Sequence, residues 1–177
     1  GKIKLSLTWL QIMHPMLNIA IRAARRAGVI ISRAQNRLYD LRVSQKGLHD
    51  YVTQIDVEAE KAIIETLSQA YPSHAILAEE SGKAGKSDYT WVFDPLDGTL
   101  NFIRGYPHYA ISIALRIKGR LDQAIIYDPL KDELCTASSG EGAQINEKKI
   151  RVSVNQELES ALLATGFPVR DKQRLFE

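Results

Sequence analysis

Two carboxylates three residues apart, at the end of an apolar run, are the residues of this sequence best placed to do chemistry. The stretch reads Trp91-Val92-Phe93-Asp94-Pro95-Leu96-Asp97-Gly98-Thr99-Leu100-Asn101-Phe102. Trp91-Val92-Phe93 has the character of a strand, and Pro95 fixes its own φ while holding Asp94 extended. Asp94 and Asp97 can converge on one cation. Gly98-Thr99 then opens a short helix whose first N–H groups suit a phosphate. A hard cation beside a phosphate cradle is equipment for magnesium-dependent phosphoryl transfer. Asp-Pro and Asp-Gly are also ordinary turn dipeptides, so the same residues allow a capped turn with no chemistry.

Two further acidic groups lie upstream. Ala75-Ile76-Leu77-Ala78 is a short apolar run that ends in Glu79-Glu80-Ser81-Gly82. Adjacent carboxylates at a strand end repel each other unless a cation or solvent relieves them; a solvated turn is the alternative. Val52-Thr53-Gln54-Ile55-Asp56 precedes an amphipathic segment. Asp56 reads as a helix N-cap, with Glu58 and Glu60 in the favourable first turn. A capping carboxylate can also accept a hydrogen bond from a hydroxyl.

The elements that must carry these groups follow from periodicity. Met16, Ala20, Ala23, Ala24, Ala27, Ile30, Ile31 and Ala34 recur at helical spacing, and Pro15 suits a first turn. The spacing predicts a helix from about Pro15 to Arg33. Residues 38–55 are polar, irregular and interrupted by Lys46-Gly47, which predicts a mobile loop. A second helix is expected from Val57 to Ala70, ended by Tyr71-Pro72. Strands are expected at 75–79, 90–94, 110–118, 121–127, 133–138, 150–154 and 161–164. Lys118-Gly119-Arg120 and Ser139-Gly140-Glu141-Gly142 read as hairpin turns. Two helices followed by a mostly antiparallel meander predict an α+β domain, helices layered on a sheet.

Composition limits the alternatives. The chain has 177 residues, 45% hydrophobic and 25% charged, which suits one ordinary packed core. A formal net charge of +2 does not by itself argue for nucleic acid. Arg22, Arg25, Arg26, Arg33 and Arg37 fall along the first helix and read as its solvated face. A single cysteine, Cys135, forms no internal disulfide, and the simple inference is a reducing, cytoplasmic setting. Cys135 sits in a strand-like run and reads as core rather than nucleophile. No apolar run approaches the length that spans a bilayer. Residues 1–12 alternate Ile3, Leu5, Leu7 and Trp9 with Lys2, Lys4, Ser6 and Thr8, a strand period without a signal peptide's continuous apolar stretch.

Lys46-Gly47, Val52-Thr53 with Asp56, Glu79-Glu80-Ser81, the stretch 91–102 and Pro107-His108-Tyr109-Ala110-Ile111-Ser112-Ile113-Ala114 occur in one order. In that order they resemble the inositol monophosphatase family, most of all its bacterial branch, from about Met13 to the last residue. The resemblance implies the N-terminal, sheet-bearing half of an α/β/α/β/α sandwich over 13–177, with 1–12 an extension outside it. It implies Mg²⁺-dependent hydrolysis of a small phosphate monoester, inositol-1-phosphate first, by a metal-activated water and with no covalent phosphoenzyme. Glu79, Asp94 and the Leu96 carbonyl map onto a first metal site, and Asp94 with Asp97 onto a second. Glu79 and Thr99 map onto the residues that hold the attacking water, with Asp56 orienting the Thr99 hydroxyl. Glu79, Leu96, Asp97, Gly98 and Thr99 line the substrate site, and Lys46 and Glu80 map onto a loop site for a third, weaker ion. Lithium sensitivity is expected with the metal pair.

Two departures accompany the resemblance. Leu100 stands where the family usually has Thr. Family members are also longer, and their further portion carries another Asp ligand and the groups that grip the substrate's hydroxyls. The chain is therefore expected to be truncated, holding an ion but turning over poorly. Related phosphatases act on fructose bisphosphate, NADP or 3′-phosphoadenosine phosphate, although the Glu-Glu-Ser and Asp-Pro-Leu-Asp-Gly-Thr forms favour the inositol branch. Some bacterial members associate with the transcription machinery, so a non-catalytic contact with RNA polymerase or a transcription factor is the competing function. A homodimer is the family's usual assembly.

Overall fold

The computed structural model describes residues 14–44 and 48–164, and the side chains among them other than those of residue 36 and residues 38–53. Residues 1–12 and Lys46 lie outside the described residues. Two long helices, α1 (Pro15–Ser44) and α2 (Leu48–Ala70), lie together on a sheet of eight strands. The strands are β1 (Ala75–Ala78), β2 (Gly82–Ala84), β3 (Tyr89–Asp97), β4 (Ala110–Ile117), β5 (Arg120–Asp128), β6 (Glu133–Ser138), β7 (Gly142–Ile145) and β8 (Lys148–Ile150). A short helix, α3 (Thr99–Arg104), follows β3. Strand order is β2-β1-β3-β4-β5-β6-β7-β8. Among these strands only β1 and β3 pair in parallel. The architecture is the expected α+β layering.

The helices pack through small residues. Ala20, Ala23, Ala24 and Ala27 of α1 and Ala59 of α2 are buried with Ile31, Ile63 and Leu67. Such a surface lets helices and sheet approach closely. A Cβ on Gly28 would stand 2.6 Å from the Tyr127 ring on β5. Phe93, Trp91, Ile111, Ile113, Leu115 and Ile125 supply the sheet's side of this core. Two arginines read as a solvated face are instead put to use. Arg26 donates to Thr66 Oγ1 at 2.6 Å. Arg25 reaches Asp132 at 3.2 Å and covers the Tyr127 ring at 5.5 Å.

The structure differs from the predicted elements in three places. α1 continues to Ser44 and α2 begins at Leu48, so most of the expected loop over 38–55 is helix. Polar residues such as Arg and Gln have good helix propensity, so the lack of an apolar period does not bar a helix. The strand expected at 150–154 ends at Ile150, and 161–164 has no regular structure. Val152 and Val154 alternate as a strand should but are 91% and 95% exposed; propensity makes no strand without a neighbour to pair with. Finally, β2 and β7 are short strands that the apolar pattern did not reveal. The Lys118-Gly119 turn forms as expected, with φ of 50° and 81°, the positive pair that a tight hairpin takes.

At the start of β1, His74 is stacked between Tyr71 and Tyr89, with ring centroids 4.7 and 4.8 Å away. Trp91 Nε1 donates to His74 Nδ1 at 3.1 Å. Burial lowers the His74 pKa.

Candidate active site

Parallel register brings the first acids together. Ala78 of β1 lies opposite Phe93 of β3, so Glu79, the next residue, stands beside Asp94. Registered neighbours share a face of the sheet. Ala78 and Phe93 are buried against the helices, so Glu79 and Asp94 project from the other face. Their carboxyl groups lie within hydrogen-bond range of each other.

Strict alternation would turn Asp97, three residues further on, away from Asp94. The pairing with β4 corrects this. Asp94 lies opposite Ser112 and Asp97 opposite Ala110, with an irregularity between them. Three steps on β3 match two on β4, so Pro95-Leu96 carries one extra residue, a β-bulge. Ser112 and Ala110 share a face, and Asp97 returns to the face of Asp94. Pro95 brings no N–H to leave unpaired, and the Leu96 N–H donates to Asp94 Oδ1 at 2.9 Å.

The chain then turns sharply. Gly98 has φ 98° and is the N-cap of α3, with no side-chain cap. A Cβ there would stand 2.9 Å from the His108 carbonyl and 3.1 Å from Tyr109 Cβ. Glycine is required both by the left-handed backbone and by this close approach. Thr99 donates its hydroxyl to the Leu96 carbonyl at 2.9 Å. The proton expected to go to Asp56 is therefore committed to Leu96, on an oxygen that the resemblance assigned to an ion. Leu100 is exposed on α3.

α2 adds two acids from the helix side. Asp56 lies inside α2 rather than at its start, which corrects the N-cap reading and, with it, the first-turn role of Glu58 and Glu60. Asp56 and Glu60 are one turn apart on one face and are 7% and 5% exposed. Glu60 was missed as a site residue, although its four-residue spacing from Asp56 was the available signal. Its carboxylate accepts the N–H groups of Glu80 and Ser81, each at 3.1 Å.

The acids act on one another. Asp56 is pushed up to about 7, by burial first and then by the charges of Glu80, Asp94, Glu79 and Glu60. Asp94 is also pushed up to about 7, by burial, by its hydrogen bond with Glu79 and by the charges of Glu79 and Asp97, against the opposing Leu96 N–H. Carboxylates in such surroundings hold a proton or attract a cation. The donors are all oxygen, which suits a hard divalent ion such as Mg²⁺. Among the described residues, no three His, Cys, Asp or Glu side chains already stand close enough together to hold a metal.

The acids sit between two troughs. One, of about 420 Å³, runs along the open sheet face past Glu79, Asp94, Val92, Ala114 and Ile126. The other, of about 270 Å³, is lined by Asp97, Gly98, His108, Asp128, Lys131 and Cys135, among others. Cys135 is half-buried on β6, not the core residue expected.

Comparison with known proteins places this arrangement among relatives. The inositol monophosphatase family matches residues 12–177. Nus factor SuhB of Pseudomonas aeruginosa is 53% identical over 165 residues, covering 91% of this chain and 61% of that protein. The structure of extragenic suppressor protein suhB from Bartonella henselae matches with a TM-score of 0.73 and 38% identity, over 82% of this chain and 57% of that one. Inositol monophosphatase from Anabaena (Nostoc) sp. PCC 7120 matches with a TM-score of 0.69 and 38% identity, over 80% of this chain and 50% of that one. The chain thus spans less than two thirds of the length of these relatives.

Proposed function

From the premise that this chain belongs to the inositol monophosphatase family, we propose that its protein is a Mg²⁺-dependent phosphatase of small phosphate monoesters, inositol-1-phosphate first among them. The observation that carries the reading is the shared face of Glu79, Asp94 and Asp97, made by parallel register and the bulge, beside the Gly98-Thr99 helix start. Glu79, Asp94 and the Leu96 carbonyl would hold one ion, and Asp94 with Asp97 another. Such ions supply a nucleophilic water at neutral pH and neutralise charge on the leaving oxygen. The first N–H groups at Gly98 and Thr99 hold the phosphate. Glu79 and a Thr99 hydroxyl turned away from Leu96 would hold the water, with Asp56 proposed to accept that hydroxyl's proton. Lys46 and Glu80 form the proposed loop site for a weaker ion. The protein is proposed to be cytoplasmic; among the described residues no helix is long and apolar enough to cross a membrane. The domain assignment, 13–177 with 1–12 outside it, and a homodimer belong to the same proposal.

The test is phosphate release from inositol-1-phosphate at saturating Mg²⁺, in this chain and in a full-length relative. Asp94→Asn should lower turnover of the full-length protein by at least about 10²-fold, since this one charged group would be shared by both proposed sites. Glu80→Gln should cost less, and millimolar Li⁺ should inhibit. Equal turnover by Asp94→Asn and the unmutated protein rules the reading out. Fructose bisphosphate, NADP and 3′-phosphoadenosine phosphate are the competing substrates for the same assay. The chain alone should turn over more slowly than the relative.

A second reading is a contact with the transcription machinery, favoured by the name Nus factor given to the Pseudomonas aeruginosa relative. An Asp94→Asn protein that still supports normal RNA synthesis in cells would separate that contact from catalysis.

A further inference from the structure

We infer that Glu60 is a positioning residue for the ion-binding carboxylates: its buried side chain fixes the backbone of the β1–β2 turn, and through it the direction of Glu79. The inference rests on the metal-dependent reading above and adds to it a group with no place in the expected site.

The ladder carries Glu79 to the side of Asp94 but stops one residue short of it, so the turn has to hold the carboxylate there. β1 ends at Ala78, and its pairing with β3 ends at the same residue. Residues 79–81 are a turn between β1 and β2, and a two-residue step of backbone freedom there would swing the Glu79 carboxylate off Asp94. What holds the turn is Glu60. Its two oxygens take the two N–H groups that follow Glu79, those of Glu80 and Ser81, each at 3.1 Å. Hydrogen bonds to a charged acceptor are about twice as strong as neutral ones.

The other end of this clamp is rigid. Glu60 lies on α2 between Ala59 and Ile63, both fully buried in the core. A carboxyl group at 5% exposure is costly to bury unless its oxygens find donors, and the two amides supply them. With both oxygens engaged on backbone, Glu60 is not itself aimed at an ion. Asp56, one turn earlier on the same helix face, feels the charges of Glu79, Glu80 and Asp94. α2 therefore reaches the acids at two points, one touching the cluster and one holding the turn that bears half of it. Outer groups that orient ligands in this way change metal affinity by about 10–100-fold when removed.

Three variants distinguish position from charge. Glu60→Ala removes both acceptors and the charge. Glu60→Asp keeps the charge but falls one methylene short of the turn. Glu60→Gln keeps the length and one good acceptor but loses the charge. The probe is Mn²⁺, titrated into each purified 177-residue chain at one pH and followed by the spin-resonance signal of the free ion. Backbone amide exchange at Glu80 and Ser81 and a thermal melt are recorded for each variant.

Positioning predicts that Glu60→Ala and Glu60→Asp weaken Mn²⁺ binding at least about tenfold, with Glu60→Gln between them and the unmutated chain. It also predicts faster exchange at the Glu80 and Ser81 amides in the Ala and Asp variants. Binding by Glu60→Asp equal to that of the unmutated chain, with Gln as poor as Ala, would show a charge effect and overturn the inference. So would unchanged affinity in all three variants, or a loss confined to variants that are unfolded at the assay temperature. Retained Mn²⁺ uptake in every variant removes only the role of Glu60. No uptake by the unmutated chain removes the metal-dependent reading and this inference with it.

Discussion

The two faces of the sheet are built from the same strands and have opposite fates. On one, Trp91, Phe93, Ile111, Ile113, Leu115 and Ile125 are buried under α1 and α2. On the other, the intervening residues are Leu77, Val92, Ser112, Ala114, Ala124 and Ile126, which line an open trough; Leu77 is 37% and Ile126 54% exposed. The large rings lie on the covered side, while small residues and the acids lie on the open one. One face holds the fold and the other presents the chemistry, and alternation along each strand divides the two tasks.

If that division is right, the costs of substitution should fall in a definite order. Trp91→Ala on the covered face should destabilise the chain by about 3–5 kcal/mol in urea unfolding, as lost large core side chains do. A loss under about 1 kcal/mol would show that the covered face is not the main source of stability. Gly98→Ala, at the boundary of the faces, should cost about 1–3 kcal/mol for its positive φ alone, with the 2.9 Å clash on the His108 carbonyl adding to it. Unchanged melting of that variant would remove the argument for glycine there.

The open face should respond to pH and to ions. Asp56 and Asp94 rise from 3.8 to about 7 in the folded chain, so the folded state keeps protons that the unfolded state releases. Their contribution to stability is complete below pH 3.8 and is lost as pH rises through 7. His74 has the opposite sign: its folded pKa is lowered from 6.5, so its contribution is present above 6.5 and lost on acidification. With divalent ions removed, the melting temperature should fall between pH 7 and 8, above the range in which His74 acts. Mg²⁺ should restore it at pH 8 far more than at pH 5, because only ionised carboxylates bind it. A metal-free melting temperature that rises over that interval would contradict the assignment, and Asp56→Asn should flatten the fall. The smallest effect is expected at Ile126→Ser, within about 0.5 kcal/mol for an exposed site, with less concentration-dependent association, since open apolar patches self-associate. Light scattering that does not change would place any association elsewhere.

Much of this division was readable in the sequence. Residues 110–117 alternate Ile111, Ile113 and Leu115 with Ala110, Ser112, Ala114 and Arg116, and the strand and its buried side followed directly. The Ala stripe of α1 gave the helix face in the same way. The bulge was not readable: two acids three apart on a strand should face opposite ways, and only the pairing with Ser112 and Ala110 shows otherwise. Nor was the true start of α2. Polar residues before Asp56 carry no apolar period and read as a loop, yet they are helical, which turned an apparent N-cap into a buried mid-helix acid. Glu60 was hidden for a related reason, since its partners are backbone amides 20 and 21 positions away and no residue type announces them.

The position of β1 has a consequence for how the molecule comes together. From β4 to β8 each strand pairs with the next in sequence across a short turn, so that meander can zip from hairpin to hairpin. β1 instead joins β3 in parallel after the chain has travelled out through β2 and back, with no tight hairpin turn to nucleate the pair. Glu79 meets Asp94 only once that contact exists. Competence to hold an ion should therefore mature late in refolding, after the meander. Pulse-labelled amide exchange would detect this as protection of Ile113 and Ile125 before Leu77, and the reverse order would refute it.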